Sequence, residues 1–219
     1  WGGEQTCGIG VATANSPQGP FTDHGKMFRS NEIGVQNSID PSLLQYEGRN
    51  YLVWGSFRGI YVIELTADGL SIMSGAKKKR IAGTAFEAVY IHKHGDYYYM
   101  FASIGSCCQG VKSTYKVVVG RSKKVWGPYK DKTGKPMLKN GYSLVIGAND
   151  HFVGNGHGSQ IIQDDAGQDW LLYHGFSRST PENGRILLLD QIKWDQEGWP
   201  YVEGGSPSYE TQKAPVFNN

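Results

Sequence analysis

Two carboxylates, Asp40 and Glu87, occupy matched places in the 219-residue sequence. Each is followed by a glycine eight residues later and by a tyrosine eleven residues later, so the two segments align without a gap. If the two side chains meet, their like charges repel and one of them keeps its proton more readily than an isolated carboxyl group. A protonated acid beside an ionised one can hydrolyse glycosidic bonds. The alternative is that each carboxylate only caps a turn, and the shared register favours the first interpretation.

The aligned segments belong to a longer repeat, which specifies the elements around them. The two carboxylates are 47 positions apart (87 − 40 = 47), and a third copy has Ser159 in place of the carboxylate, followed by Gly167 and Trp170. The outer segments VATANSPQGPF and VGRSKKVWGPY also share their spacing. Short apolar runs separated by turns predict strands, and helical periodicity is almost absent. A hairpin with further outer strands, repeated every ~40–50 residues, predicts the blades of an all-β fold, the β-propeller.

This fold explains why carboxylates stand at the start of two apolar strands. The innermost strand of each propeller blade lines the central channel, so Asp40 and Glu87 should converge at one end of it. Residues 1–30 contain only the outer half of a blade, which gives three and a half blades where propellers have ~4–8. We therefore expect residues 1–219 to be a single β-propeller catalytic domain that is N-terminally incomplete, with about one and a half blades upstream.

The overall composition excludes several classes of partner. The formal net charge is +2, which gives no reason to expect nucleic acid or a membrane surface as a partner. The sequence contains no stretch of ~18 apolar residues, so it predicts no membrane span. Thirty glycines and 12% aromatic residues are typical of many short strands joined by tight turns.

The three cysteines leave several interpretations open. An odd count does not predict a disulfide framework, and the adjacent pair Cys107 and Cys108 has no metal-binding spacing. The pair is interpreted either as two small buried residues, as a disulfide between neighbours, or as part of the lining of a site.

Several motifs, in order along the whole chain, resemble the glycoside hydrolases of family 43. They are NSIDPSLL, FEAVYI, GSCCQGVKSTYKVVVGRSKKVWGPY, GNGHGSQII and QIKWDQEGWPYV. The stretch SCCQGVKSTYKVVVGRS is most similar to the endo-acting 1,5-α-L-arabinanases of that family. The resemblance implies a five-bladed propeller that cleaves arabinan and arabino-oligosaccharides by an inverting mechanism with three carboxylates. It also implies a secreted, periplasmic or cell-surface protein.

The resemblance assigns a role to each of the two matched carboxylates. Glu87 corresponds to the general acid, and Asp40 to the carboxylate that orients the acid and raises its pKa. The family's general base is an aspartate in an HDP-like context, which does not occur here, so we expect the base outside this chain, in an N-terminal fragment of the same protein. The sequence also departs from the family where Ala-Val follows Glu87, since Ala-Pro is usual there.

Further site residues are expected on the same basis. His157 resembles the family's channel histidine, which contacts an ion or water, and a largely water-coordinated calcium ion is the expected cofactor. A histidine between glycines is otherwise a turn residue. Five residues are expected to contact sugar, although each could belong to the core instead: Ile39, Trp54, Ser56, Phe57 and Cys107.

Alternatives to an endo-arabinanase remain at this stage. A sugar-binding propeller without turnover would have no need for paired carboxylates, and a protein-interaction propeller would have no polar groups converging in its channel. An exo-acting α-L-arabinofuranosidase or a β-xylosidase shares the same carboxylates, and the shape of the loops decides between these enzymes.

Overall fold

Almost all of the regular structure is β-strand in the computed structural model, which describes residues 3–218. The chain divides into two compact units, Trp1–Val89 and Tyr90–Asn219. Each unit has its own apolar core. Of the residues described, no helix is both long enough and apolar enough to cross a membrane.

The first unit contains two antiparallel sheets. A two-stranded sheet pairs β1 (Gly8–Thr13) with β2 (Thr22–Arg29), and a single helical turn, α1 (Ser30–Ile33), follows. The second sheet has four strands in chain order: β3 (Ser42–Tyr46), β4 (Arg49–Trp54), β5 (Ile60–Glu64) and β6 (Lys79–Ala82). Each strand of that sheet pairs with the next in the sequence, which is the meander of a propeller blade.

The second unit contains a sheet of four strands and a sheet of five. The first sheet follows chain order: β7 (Glu87–His94), which starts at the end of the first unit, β8 (Tyr97–Ile104), β9 (Lys116–Ser122) and β10 (Ser143–Ile146). The other sheet contains β11 (Phe152–Gly156), β12 (Ile162–Gln163), β13 (Asp169–Ser177), β14 (Arg185–Trp194) and β15 (Pro200–Tyr201). Both β11 and β12 pair with β13, so the innermost strand of this sheet is interrupted at residues 157–161.

The predicted repeat has a direct counterpart in the turns. Gly48, Gly95 and Gly167 each lie in the turn of an inner hairpin with φ of 72°, 54° and 75°. Glycine adopts this left-handed conformation without the steric penalty that a Cβ brings. The outer repeats also match, because the Gly19–Pro20 and Gly127–Pro128 peptide bonds are both cis.

Trp54 belongs to the core of the first unit, not to a sugar-binding surface. Its side chain has no exposed area and lies 5.3 Å from the Phe28 ring and 5.8 Å from the Tyr61 ring, between centroids. Its indole N–H donates to Ser38 Oγ at 3.1 Å. A fully enclosed side chain offers no surface to a ligand, so the sugar contact expected of Trp54 is replaced by a packing role.

Candidate active site

Three chain segments of the first unit are joined by hydrogen bonds around the predicted carboxylates. They are residues 37–40, 55–57 and 86–88. The bonds run from Gly55 N–H to Ile39 O (3.0 Å), from Phe57 N–H to Phe86 O (2.9 Å), and from Asn37 Nδ2 to Ser56 O (3.0 Å). The partners are separated by 16 to 29 residues, so the bonds join segments that lie apart in the sequence.

Each carboxylate is fixed by one donor within this network. Glu87 begins β7 and is 8% exposed, and its Oε2 accepts a hydrogen bond from Ser56 Oγ at 2.8 Å. Asp40 is half-buried, and its Oδ2 accepts one from the backbone N–H of Ala88 at 3.1 Å. Asp40 therefore holds the residue next to Glu87, so the two carboxylates predicted to converge belong to one network.

Both donors are neutral groups. Within residues 3–218, neither Asp40 nor Glu87 forms an ion pair with a lysine, arginine or histidine. A general acid gives its proton to the substrate, and among the described residues no ion pair occupies either carboxyl group.

The backbone around the carboxylates is left-handed at four residues that are not glycine. Asn37, Asp40, Phe57 and Ala88 have φ of 52°, 55°, 51° and 51°. Asn and Asp adopt this conformation with little penalty, whereas Phe and Ala meet a steric clash. Phe57 and Ala88 therefore store roughly 1–3 kcal/mol each, and residues strained in this way concentrate at functional sites. The strain is a second feature, independent of the carboxylates, that favours a site here.

The other residues of this unit that are expected to contact sugar differ in their exposure to solvent. Ile39 and Phe57 are partly exposed and directly precede and follow network residues, so each has surface to offer a ligand. Ser56 is 1% exposed and its hydroxyl is engaged by Glu87. Ser56 is therefore better placed to position Glu87 than to contact sugar.

Sequence reasoning missed Asn37. This buried residue lies three positions before Asp40 and supports Ser56 through its Nδ2, while its Oδ1 has no hydrogen-bond partner among the described residues. The sequence pattern that could have indicated it is an asparagine before a predicted strand, because asparagine is enriched among residues with positive φ.

His157 lies in the second unit, in the interruption between β11 and β12. It is exposed, its φ is 54°, and its backbone N–H donates to Ser103 Oγ at 2.8 Å. Its ring centroid is 6.3 Å from that of His174, which stacks on Tyr115 at 5.7 Å. Burial, with smaller contributions from the Arg185 and His157 charges, lowers the pKa of His174 to about 4.

The surroundings of His157 limit how an ion could bind there. Calcium takes six to eight oxygen ligands, whereas His157 offers an imidazole nitrogen. Among the described residues, no set of three or more carboxylate, imidazole or thiolate ligands includes His157. The residues present thus fit a calcium ion only if water supplies most of its ligands.

Cys107 and Cys108 form a disulfide between adjacent residues, one of the interpretations left open by the sequence. Cys107 is half-buried and Cys108 is exposed. The loop that carries them is closed by backbone-to-hydroxyl hydrogen bonds between Ser106 and Thr114 in both directions. Cys7 is a free, buried thiol.

Comparisons with known proteins identify the family of the chain. The family model for glycosyl hydrolases family 43 matches residues 1–200. An extracellular exo-α-(1→5)-L-arabinofuranosidase of Cellvibrio japonicus is 38% identical, over 92% of this chain and 63% of its own length. An extracellular endo-α-(1→5)-L-arabinanase of Bacillus subtilis is 35% identical, over 90% of this chain and 61% of its own length. The chain therefore spans about three fifths of the length of these curated relatives.

Solved structures extend the likeness to the fold. The α-L-arabinanase of Cellvibrio cellulosa in complex with arabinohexaose has a TM-score of 0.84 and 34% identity, covering 94% of this chain and 71% of its own. A family 43 endo-arabinanase of Bacillus licheniformis has a TM-score of 0.79 and 33% identity, covering 92% and 70%. The fold class is the five-bladed β-propeller expected from the sequence, and the sheets of the two units are blades or parts of blades.

Proposed function

Because the chain belongs to glycosyl hydrolase family 43, we propose that it is part of an enzyme that hydrolyses α-1,5-linked arabinan as an endo-arabinanase. One observation carries the proposal: the network that holds Glu87 through Ser56 also holds Asp40 against Ala88. Its relatives include arabinan-cleaving enzymes, which supports the same substrate. They also support action outside the cell, as a secreted, periplasmic or cell-surface protein.

Each carboxylate has a distinct task in this reaction. Glu87 donates its proton to the leaving glycosidic oxygen, and the Ser56 hydroxyl keeps the carboxyl group in one orientation while it does so. Asp40 orients the acid through Ala88 and contributes a negative charge to the site. An inverting reaction also needs a carboxylate base on the opposite face of the sugar, ~6.5–9.5 Å from the acid, to activate water. We expect that base outside residues 1–219.

The other predicted residues complete the proposal. Ile39 and Phe57 contact arabinose through their partly exposed apolar surface. In the second unit, Cys107 contacts sugar through the half-buried side of the disulfide. His157 would hold a calcium ion that is otherwise coordinated mostly by water. Bound there, the ion would supply a fixed positive charge.

Hydrolysis of linear 1,5-arabinan by the full-length protein, with sizing of the products, tests the function. A ladder of arabino-oligosaccharides is expected, and no cleavage of arabinan would contradict the proposal. Release of a single product size would instead support an exo-acting enzyme, which the name of the Cellvibrio japonicus relative favours. Cleavage of xylan, or binding without cleavage, would support a β-xylosidase or a non-catalytic sugar-binding propeller.

The stereochemistry of the reaction gives a second test. Proton NMR of the first-formed product should show an inverted anomeric configuration, because water attacks from the face opposite the leaving group. Retention of configuration would contradict the inverting mechanism without touching the choice of substrate.

A further inference from the structure

Two histidines and an aspartate of the second unit come together from separate sheets. His92 and His94 lie two positions apart near the end of β7, so both side chains project from the same face of the strand. Asp169 is the first residue of β13. One ligand atom from each residue lies within 4.8 Å of the other two, and His94 Nδ1 is 3.9 Å from Asp169 Oδ2. Among residues 3–218, this is the one set of three potential metal ligands with such spacing.

The carboxylate of this cluster is oriented by neutral donors on both oxygens. Trp194 Nε1 donates to Asp169 Oδ2 at 2.7 Å, and Gln163 Nε2 donates to Asp169 Oδ1 at 3.2 Å. Asp169 is 6% exposed, yet each oxygen keeps a further lone pair. Outer hydrogen bonds of this type hold the ligands of metal sites in place.

The indole of Trp194 also fixes the position of the histidines. It stacks on the His94 ring with centroids 3.7 Å apart and planes 7° from parallel, and its centroid is 6.0 Å from that of His92. The indole therefore forms one wall of the cluster and restricts rotation of the His94 ring. The His94 side chain is 39% exposed, which leaves one side of the cluster open to solvent.

We propose that His92, His94 and Asp169 bind a divalent transition-metal ion of the zinc type, which joins the sheet of β7 to the sheet of β13. Imidazole and carboxylate groups are ligands that zinc accepts at about 2.0–2.2 Å, so tetrahedral ligand atoms lie roughly 3.3–3.5 Å apart. The ligand atoms lie within 4.8 Å of one another, and His94 Nδ1 is 3.9 Å from Asp169 Oδ2, so the three side chains must move closer together when the ion binds. Water fills the fourth position on the open side.

The ion would act on stability. β7 and β13 belong to different sheets and share no ladder of hydrogen bonds, so a metal bond would be a direct link between them. A ligand that binds the folded chain and not the unfolded one raises the melting temperature as its concentration increases. The proposal goes beyond the proposed hydrolase activity and does not depend on it.

Zinc titration of the full-length, tag-free protein, first stripped with a chelator, tests the site. Calorimetry should give one zinc ion per chain at a site that calcium does not occupy, and excess zinc should raise the melting temperature. Cobalt(II) should give the visible absorption of a tetrahedral complex. A melting temperature that does not respond to zinc would overturn the proposal and leave a cluster of polar side chains packed against Trp194.

Variants locate the site. His94→Gln and Asp169→Asn should abolish both the zinc response and the cobalt spectrum. His151→Gln is the matched control, because His151 makes a similar stack on Tyr209 (3.6 Å, 5°) but is not part of a group of three ligands among the described residues. Since Asp169→Asn removes a buried charge and could disturb folding, the half-exposed His94 decides the outcome. A zinc response that survives His94→Gln would assign the ion to another site and contradict the proposal.

Discussion

Two buried carboxylates, one in each unit, differ in how fully they are hydrogen-bonded. Asp164 is 4% exposed and accepts four hydrogen bonds, from the N–H groups of Ala166, Gln168 and Val216 and from the Trp170 indole. Glu87 is 8% exposed, and Ser56 is its one side-chain donor among the described residues. An ionised carboxylate is an acceptor only, and four donors satisfy it. One donor leaves lone pairs free for a reacting group.

The number of hydrogen-bond donors separates a carboxylate that stabilises a turn from one with free lone pairs for the proposed reaction. Desolvation by burial raises the pKa of Asp164, but the hydrogen bonds from the Gln168 and Val216 backbone and from Trp170 outweigh it, so the pKa lies below its ordinary value. Asp164 is therefore ionised at neutral pH. It shows what turn capping by a carboxylate looks like in this protein, and Glu87 does not share that arrangement.

The largest expected effect comes from Glu87→Gln in the full-length protein. The amide keeps the shape of the side chain but has no acidic proton, so kcat on arabinan should fall by about 10²–10⁴-fold, the usual contribution of a general acid. Ligand binding and melting temperature should change little. An aryl arabinofuranoside with a good leaving group should recover part of the rate, because its departure needs less protonation.

The exposed Glu210 provides the matched control, and Glu210→Gln should leave the rate unchanged. Wild-type activity in Glu87→Gln would remove the general acid from the proposed mechanism. A large loss of melting temperature in that variant would instead make Glu87 a structural carboxylate like Asp164.

Asp40 allows its charge and its hydrogen bond to be tested separately. Asp40→Asn keeps an oxygen acceptor for the Ala88 N–H and tolerates the positive φ, so it removes chiefly the charge. Asp40→Ala removes the charge and the hydrogen bond, and it adds strain at φ 55°. A hydrogen bond to a charged group contributes ~1.5–3 kcal/mol, so kcat/KM should fall by roughly 10–100-fold in Asp40→Ala, which loses the bond, and by a smaller factor in Asp40→Asn, which keeps it. Full activity in both variants would reduce Asp40 to a turn residue.

Ser56→Ala probes the one side-chain donor to Glu87. An unsatisfied buried acceptor costs about 1–3 kcal/mol, and a loss of 1.4 kcal/mol from the transition state corresponds to about tenfold in kcat. Ser56→Ala should therefore lower kcat by about tenfold with little change in KM. The exposed Ser74 serves as control, and equal rates in Ser56→Ala and Ser74→Ala would contradict a positioning role.

The sequence predicted the hairpins and their register because those depend on local chemistry. Glycines in the left-handed turns and alternating apolar residues lie close together along the chain, so their spacing reports the structure directly. Asp40 and Glu87 were found for the same reason, through their fixed distance from Gly48 and Gly95.

Other features depend on contacts that the sequence does not display. The Ser56 hydroxyl meets Glu87 across 31 residues, and Asp169 meets His94 across 75 (169 − 94 = 75). The alternation of polar and apolar residues in a strand does not show which distant segment its polar residues contact. A run of apolar residues likewise does not show that the Trp54 side chain is fully buried. The interruption between β11 and β12 was also missed, since the third repeat has the same spacing as the other two.

The smallest expected effect on activity, and the sharpest test of the comparison, comes from Asp164→Asn. The new amide would point N–H groups at the Trp170 indole and the Val216 N–H, so the melting temperature at neutral pH should fall while the rate on arabinan stays at the wild-type value. A depressed pKa gives stability that is present above the unfolded pKa, ~4, and is lost as pH falls through the lower folded pKa. The difference in melting temperature between wild type and Asp164→Asn should therefore be constant near neutrality and shrink below ~pH 4.

Asp150→Asn, at an exposed aspartate, should follow the wild type throughout. If the melting temperature of Asp164→Asn equals that of Asp150→Asn at neutral pH, four hydrogen-bond donors do not identify a structural carboxylate in this protein. The contrast between Asp164 and Glu87 would then be wrong.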